Sequence, residues 1–439
     1  SKKSTQTYVA NQQNTAVASN ITGKNIVLDA GRDIAVQGSQ IKADDAAHIT
    51  AGNNINIVAA KNQSAQQSEV IKKKSGFSAS LSDGVASVGY GKSNANIQQE
   101  NTAETLTQSV ISSGQGNTVI AAAKDLTTEA ALIQSGKDLT LQGKNVDLNA
   151  GTASSNQQLQ VQSKNSGLSV GITYNPIDAA VSAYKKSSDN TEFSDSAVGQ
   201  VMSHAEAVNK AAQAATTAVV VTGGSQKITQ NSTYSTTQAV VTQAEAQGNL
   251  NIIATEGSIR SQGAQLSAEG DALLHAKDNI HLSYATDTES QTSRSKQRGF
   301  SIDNRDKSAP AGVYNNKNQG TGSIDRVTGT QLSAGGKSTL QTTQGDVNII
   351  ASSVASEGDV NILAARDVNI LSAQNTKSQA ESSSNKGIGS AQISDTEQFF
   401  GYMKGNSQSS SNDIEQQRSQ VGSLGGNVNI QAGNDYLQQ

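Results

Sequence analysis

The side chains able to do chemistry are sparse and evenly spread along the 439 residues. Carboxylates recur at Asp33, Asp125, Asp138, Asp346, Asp359 and Asp367, each directly before an apolar residue. Paired carboxylates would serve a glycoside hydrolase, and a carboxylate-held Ca²⁺ beside a basic proton acceptor would serve a polysaccharide lyase. Both need a cluster that differs from its surroundings. A carboxylate repeated at strand after strand reads instead as turn chemistry, because Asp and Asn accept nearby backbone N–H groups. His48, His204, His275 and His281 show no metal-ligand spacing, and the chain has no cysteine to join them. Gly335-Gly336-Lys337-Ser338 ends like a phosphate loop, but the required first glycine would stand where Gln331 is. No Ca²⁺-binding Gly-Gly-x-Gly-x-Asp nonapeptide occurs. The reading is of no enzyme, no catalytic residue, no cofactor and no metal.

Two basic runs carry more interest. Lys72, Lys73 and Lys74 precede Phe77, and Arg294, Lys296 and Arg298 precede Phe300. Of these, Lys72, Lys73, Lys74, Phe77, Arg298 and Phe300 are the candidate contacts for a membrane or for lipopolysaccharide phosphates. The bland alternative is a solvated loop or a protected sheet edge. A net charge of −4 gives no overall pull towards nucleic acid, and an aromatic content of 3% leaves few platforms for sugars.

The elements that position these residues follow from the pattern. Large apolar residues are scarce, charged residues are 16% of the chain, and Ser, Thr, Asn and Gln dominate the remainder. A thin core of stacked small aliphatics suits this better than one large core. The same short phrase recurs: Asp33-Ile34-Ala35-Val36, Asn54-Ile55-Asn56-Ile57, Asn145-Val146-Asp147-Leu148, Asp367-Val368-Asn369-Ile370. Apolar alternation with period two marks strands, and Gly beside Asn or Asp supplies the bends. Inward candidates fall at Ile34, Ile41, Ala47 and Ile55; at Leu126, Ile133, Leu139 and Val146; at Ile259, Leu266, Ala272 and Ile280; and at Val347, Val354, Val360 and Val368. The steps are 7, 6 and 7 or 8, so three short strands return the chain above its start after 20 or 21 residues. The predicted fold is all-β: a right-handed parallel β-helix, a three-faced solenoid, its hand taken from the crossover rule.

Pairs of coils alternate with polar excursions that end in a basic residue and a Gly-led alternating strand. Gly76, Gly167, Gly299 and Gly387 mark these, and each excursion is expected to be a projecting β-hairpin. One helical insertion is expected at 176–224. Asn175-Pro176 opens a short helix, and a second follows Ser194-Asp195 with a stripe from Val198 to Val219 before Gly223-Gly224 ends it. The predicted organisation is 1–100 (module 1), 101–175 (module 2), 176–224 (insertion), 225–330 (module 3), 331–420 (module 4) and 421–439 (the start of a further coil). No apolar run reaches membrane-spanning length as a helix. The chain opens at Ser1 without Met or signal peptide, and it reads as a middle segment of something larger.

Ala30-Gly31-Arg32-Asp33-Ile34, Ala51-Gly52-Asn53-Asn54-Ile55 and Ser135-Gly136-Lys137-Asp138-Leu139-Thr140-Leu141 resemble filamentous hemagglutinin repeats. With the Lys-Ser-Gly-Phe-Ser-Ala-Ser-Leu excursion at 74–81, the resemblance is to the second repeat type of that family. It covers nearly the whole chain outside 176–224. It implies a two-partner-secreted exoprotein, either a filamentous hemagglutinin-like adhesin or a contact-dependent growth inhibition effector of the CdiA kind. The implied partner during secretion is an outer-membrane transporter, and the implied location is the surface of a Gram-negative cell. In growth-inhibition members, repeats of this type are implicated in passing a toxin through the target cell's outer membrane, with transfer to that membrane. The leading expectation is therefore a rigid stalk segment that also helps toxin delivery. The alternatives are an adhesin segment binding host glycans or matrix, and a β-helical polysaccharide-degrading enzyme. No nucleic acid or small-molecule substrate is expected.

Overall fold

The computed structural model describes residues 1–82, 85–173, 219–303, 311–392 and 398–439, and every regular element in it is a β-strand. Alternating sequences too polar to bury both faces lay down short strands, and Gly- and Asn-rich corners turn them. Nine coils of three strands result. The first face runs from Asn20–Gly23 to Gln420–Ser423, the second from Ile26–Ala30 to Val428–Ala432, and the third from Ile34–Gln37 to Tyr436–Gln438. Within each face every strand pairs parallel and in register with those of the neighbouring coils.

The core is a set of columns running along the coil axis. Ile34, Ile55, Leu126, Val146, Ile259, Ile280, Val347 and Val368 form one of them. All the inward positions expected from the spacing are buried except Ile34 of the first coil, which is partly buried against the core. The interior is not wholly apolar: Thr118, Thr128, Ser261 and Ser338 occupy places in the same columns. Thr128 meets the Thr242 hydroxyl at 3.2 Å, and Ser261 meets that of Thr330 at 2.8 Å.

The corner carboxylates differ from the expected local turns. They accept from the adjoining coil instead of their own. Asp138 Oδ1 accepts the Asn249 N–H at 2.8 Å, Asp346 Oδ1 that of Asp367 at 3.1 Å, and Asp359 Oδ1 that of Asn427 at 2.6 Å. A parallel coil places each corner above the last, so the backbone N–H that needs an acceptor lies one coil away.

Nine longer strands leave this body: β1 (Lys2–Asn14), β2 (Ala60–Ser82), β3 (Val85–Thr107), β4 (Gly151–Thr173), β5 (Val219–Val240), β6 (Ile280–Asp303), β7 (Ala311–Gly329), β8 (Ala373–Gln392) and β9 (Gln398–Gln417). β2–β3, β4–β5, β6–β7 and β8–β9 are antiparallel hairpins that depart after every second coil. The hairpins also pair with one another, β1 with β2, β3 with β4, β5 with β6 and β7 with β8. The outcome is one continuous antiparallel sheet in chain order. Geometry demands it: coils stack at roughly 4.8 Å, the same spacing as neighbouring strands. Each coil thus contributes one arm strand, and consecutive arms meet at hydrogen-bonding distance.

The expected helical insertion falls mostly on 174–218, outside the described residues. Its last part, 219–224, is strand and not helix. Val219, Val220 and Val221 are β-branched and open β5, where they pair with Ile172, Gly171 and Val170.

Where one coil passes directly into the next without an arm between them, the chain turns the same corner through a residue of positive φ: Gly38 (55°), Ala130 (49°), Gly263 (68°) and Ala351 (48°). A Cβ on Gly38 would lie 2.4 Å from that of Ala60, whereas Ala130 has Gly151 opposite it. Large and small have exchanged places between modules. Gly38→Ala is expected to destabilise by about 1–3 kcal/mol, and Ala60→Gly in the same chain is expected to restore much of that loss. Urea midpoints of both single variants and the double variant check this; simple additivity would refute the pairing.

Where an arm re-enters the body, a hydroxyl closes the corner, buried in Ser109, Thr242 and Thr330 and partly buried in Ser419. Ser109 donates to the Val58 carbonyl at 2.6 Å, Thr242 to Asn149 at 3.0 Å, Thr330 to Ser283 at 2.8 Å and Ser419 to Leu371 at 2.6 Å. This latch recurs at all four hairpins.

Candidate functional site

The arm sheet has no core of its own: among the described residues, and leaving aside Ile280 and Leu282 where β6 still forms the coil face, its buried apolar side chains are Ala60, Ala285 and Ala373, all at the root. Its register is regular, and one transverse row is nearly all glycine. Gly76, Gly91, Gly167, Gly224, Ser301, Gly312, Gly389 and Gly401 stand directly opposite one another from β2 to β9. Opposed residues share a face and successive residues alternate. The row therefore sorts every other arm side chain onto a front face (an odd number of steps from it) or a back face.

Around and beyond this row the front face carries the large exposed apolar residues, interrupted one step rootward on β2 to β5 by Ser75, Lys92, Ser166 and Ser225. One step towards the tips stand Phe77, Tyr90, Leu168, Ile302 and Phe400; one step towards the root stand Phe300, Val313, Ile388 and Tyr402. Val88 and Val170 lie three steps tipward. All are exposed, Phe77 by 84% and Phe400 by 76%. Phe77 and Tyr90 meet edge to face, with centroids 5.1 Å apart. At the same levels the back face carries mainly Ser78, Gly89, Ser169 and Thr222, with Tyr314 and Met403 as larger residues and Phe399 at a back-face register position.

Three steps towards the root the front face turns basic. The row reads Lys73, Asn94, Lys164, Lys227, Arg298, Asn315, Lys386 and Lys404. Like charges oppose each other directly at Lys164–Lys227–Arg298 and at Lys386–Lys404, an arrangement that weakens a sheet. Ion pairs among the described residues lie on the coils or the arm root, as at Lys61–Glu104 (2.8 Å), and none involves this row. At that root pair the hydrogen bond between them raises the Lys61 pKa and lowers that of Glu104.

Of the residues singled out from the sequence, Lys73, Phe77, Arg298 and Phe300 share the front face. Lys72 and Lys74 alternate onto the back. Sequence reasoning missed Lys164, Lys227, Lys386 and Lys404 as members of one row. The available signal was a basic residue three places before the row on each outgoing strand. The four excursion glycines also fall on two rows, because Gly299 and Gly387 stand two steps nearer the root than Gly76 and Gly167. Among the described histidines, His281 is half-buried, and burial, then the nearby Arg260 charge, lowers its pKa. Among the described residues no three or more His, Asp or Glu gather to hold a metal, and no helix is long and apolar enough to cross a membrane.

A hemagglutinin repeat model matches residues 1–107, 86–224, 221–326 and 311–438. The chain belongs to the hemagglutinin repeat family. The chain is 24% identical over 321 residues to a tRNA nuclease CdiA of Escherichia coli, covering 69% of this chain and 10% of that protein. It is 25% identical over 319 residues to a 16S rRNA endonuclease CdiA of Enterobacter cloacae, at 69% and 10% coverage. It is 26% identical over 325 residues to a toxin CdiA of Yersinia pestis, at 71% and 10%. The chain thus spans about a tenth of the length of these curated relatives. It is a filamentous-hemagglutinin-type repeat region of a CdiA-like secreted exoprotein. No solved structure matches it.

Proposed function

We propose that this hemagglutinin repeat region is a rigid stalk whose arm sheet helps a toxin pass the outer membrane of a target cell, after secretion through an outer-membrane partner transporter. The observation that carries the reading is the one-sided belt of exposed apolar side chains with a basic row beneath it. Lys74–Ser82 and Val85–Ser93 give nine residues per strand beyond that row, and a membrane β-strand takes about 9–11. Apolar residues on one face and small polar ones on the other is the alternation of such strands. The relatives' names point to unlike chemistries, on tRNA and on 16S rRNA. A region common to all of them suits a shared delivery part and not a catalytic one.

Phe77, Phe300 and Phe400 are exposed, so their replacement by Ser is expected to leave the fold intact. Losing their burial in lipid is expected to weaken binding to outer-membrane vesicles by on the order of a hundredfold. Unchanged vesicle binding by the triple variant, with the β-rich spectrum intact, would leave the stalk alone standing.

A further inference from the structure

The front face carries a groove of about 1000 Å³ where the basic row crosses β3 to β7. Its floor holds Lys164, Lys227 and Arg298 on three adjacent strands, flanked in the same row by Asn94 and Asn315. Phe300 and Val313 form its tipward wall. No described carboxylate neutralises the three cations. The carboxamide oxygens of Asn315 and of Asn96, another lining residue, are buried without a hydrogen-bond partner. The groove therefore offers clustered positive charge, two amide oxygens lacking a donor, and an apolar exit towards the tips.

We infer that this groove binds the headgroup of a phosphorylated glycolipid, an inference that rests on the membrane-facing reading above. The phosphates sit on Lys164, Lys227 and Arg298, with Arg298 able to grip one through two parallel N–H donors. Sugar hydroxyls donate to the amide oxygens of Asn315 and Asn96, the Asn96 Nδ2 already donating to Glu69 Oε1 at 3.0 Å. The acyl chains leave over Phe300 and Val313 into the apolar belt. A simple anionic phospholipid would satisfy the charge and leave those two amide oxygens without donors. The groove thus selects a saccharide and not charge alone.

The test has a soluble arm and a membrane arm. In the first, a deacylated, bis-phosphorylated diglucosamine is titrated against the whole chain, beside the same sugar without phosphate and inorganic phosphate. The bis-phosphorylated sugar is expected to bind at least tenfold more tightly than either. The combined Lys164→Gln, Lys227→Gln, Arg298→Gln variant is expected to lose that preference. A Lys386→Gln, Lys404→Gln variant, drawn from the same row outside the groove, is expected to keep it. Equal binding of inorganic phosphate, or an unchanged triple variant, overturns the site. In the second arm, phosphatidylcholine vesicles carry either the acylated bis-phosphorylated diglucosamine or phosphatidylglycerol at equal charge, and the first is expected to bind at least tenfold better. Vesicle binding without that preference overturns the site and keeps the membrane reading. A chain that binds the soluble sugar yet ignores every vesicle keeps the headgroup site and overturns the membrane reading.

Discussion

Ile55→Asp is expected to open the chain locally around its second coil while the distant coils stay folded. Ile55 is fully buried and stacks between Ile34 and Leu126 in adjoining coils. A carboxylate there has no partner, and burying it costs several kcal/mol. In a solenoid each coil leans mainly on its neighbours, so the loss stays near its origin before it spreads. Limited proteolysis should cut first between about residues 34 and 58, while the coils from Gln331 onwards keep their protection. Simultaneous loss of protection along the entire chain would contradict a stacked, nearest-neighbour architecture. The Lys61–Glu104 pair near the same root gives a milder comparison: Glu104→Gln removes a partly exposed ion pair and is expected to shift stability by less than about 1 kcal/mol.

Deleting a single coil is expected to do greater damage than deleting two coils with their arm. Removal of residues 243–264 would let Gln265–Ala268 take the place of Gln243–Ala246 on Leu132–Ser135, so the body can reclose. The arms cannot. β5 and β6 normally arise from successive coils and pair over Thr222 to Thr237. With one coil gone, both claim the same level, and that ladder must break. At about 1 kcal/mol for each hydrogen bond lost, the local penalty is on the order of 10 kcal/mol. Removing 243–330 instead takes out two coils and the β6–β7 hairpin together, and leaves β5 beside β8 with the correct direction. Hydrogen exchange of the β5 amides that face away from β4, towards β6 in the parent chain and β8 in the longer deletion, should show the first deletion deprotected and the second close to the parent chain. Equal protection in both would mean that the arms do not depend on the coil spacing.

How far this could be read from the sequence divides along one line. Features that repeat locally were legible. Ile41, Leu126, Leu139, Val354 and their equivalents are inward because the steps of 7, 6 and 8 are set by strand and corner lengths within one coil. The hairpins were legible from the alternation at Phe77 to Leu81 and Leu168 to Ile172, although these are short parts of 23-residue strands. Features that depend on pairing between distant strands were not. Lys164 opposes Lys227 across a hairpin and Arg298 only through β5, so no fixed interval in the sequence joins them. The re-entry hydroxyls of Ser109, Thr242, Thr330 and Ser419 look like any other Ser or Thr in a polar chain. Their role appears only when the carbonyl they meet, some fifty to ninety residues earlier, is placed beside them. The strand at 219–224 was not legible because a valine run that follows an alanine-rich stretch continues a helical stripe as well as it opens a strand.

The central claim is that separate hairpins form one sheet in a fixed register, because the faces, the belt and the basic row all follow from it. The chain has no cysteine, so an engineered pair reports without background. Ser323 on β7 and Ser378 on β8 belong to different hairpins, and their hydroxyls lie 2.8 Å apart. With both changed to Cys, mild oxidation is expected to join them in nearly every molecule without loss of the fold, since opposed side chains at this separation suit a disulfide. The pair shifted by one place, Ser323→Cys with Gln379→Cys, puts the thiols on opposite faces and is expected to stay reduced. Efficient closure of the shifted pair, or failure of the direct one, would contradict the continuous sheet.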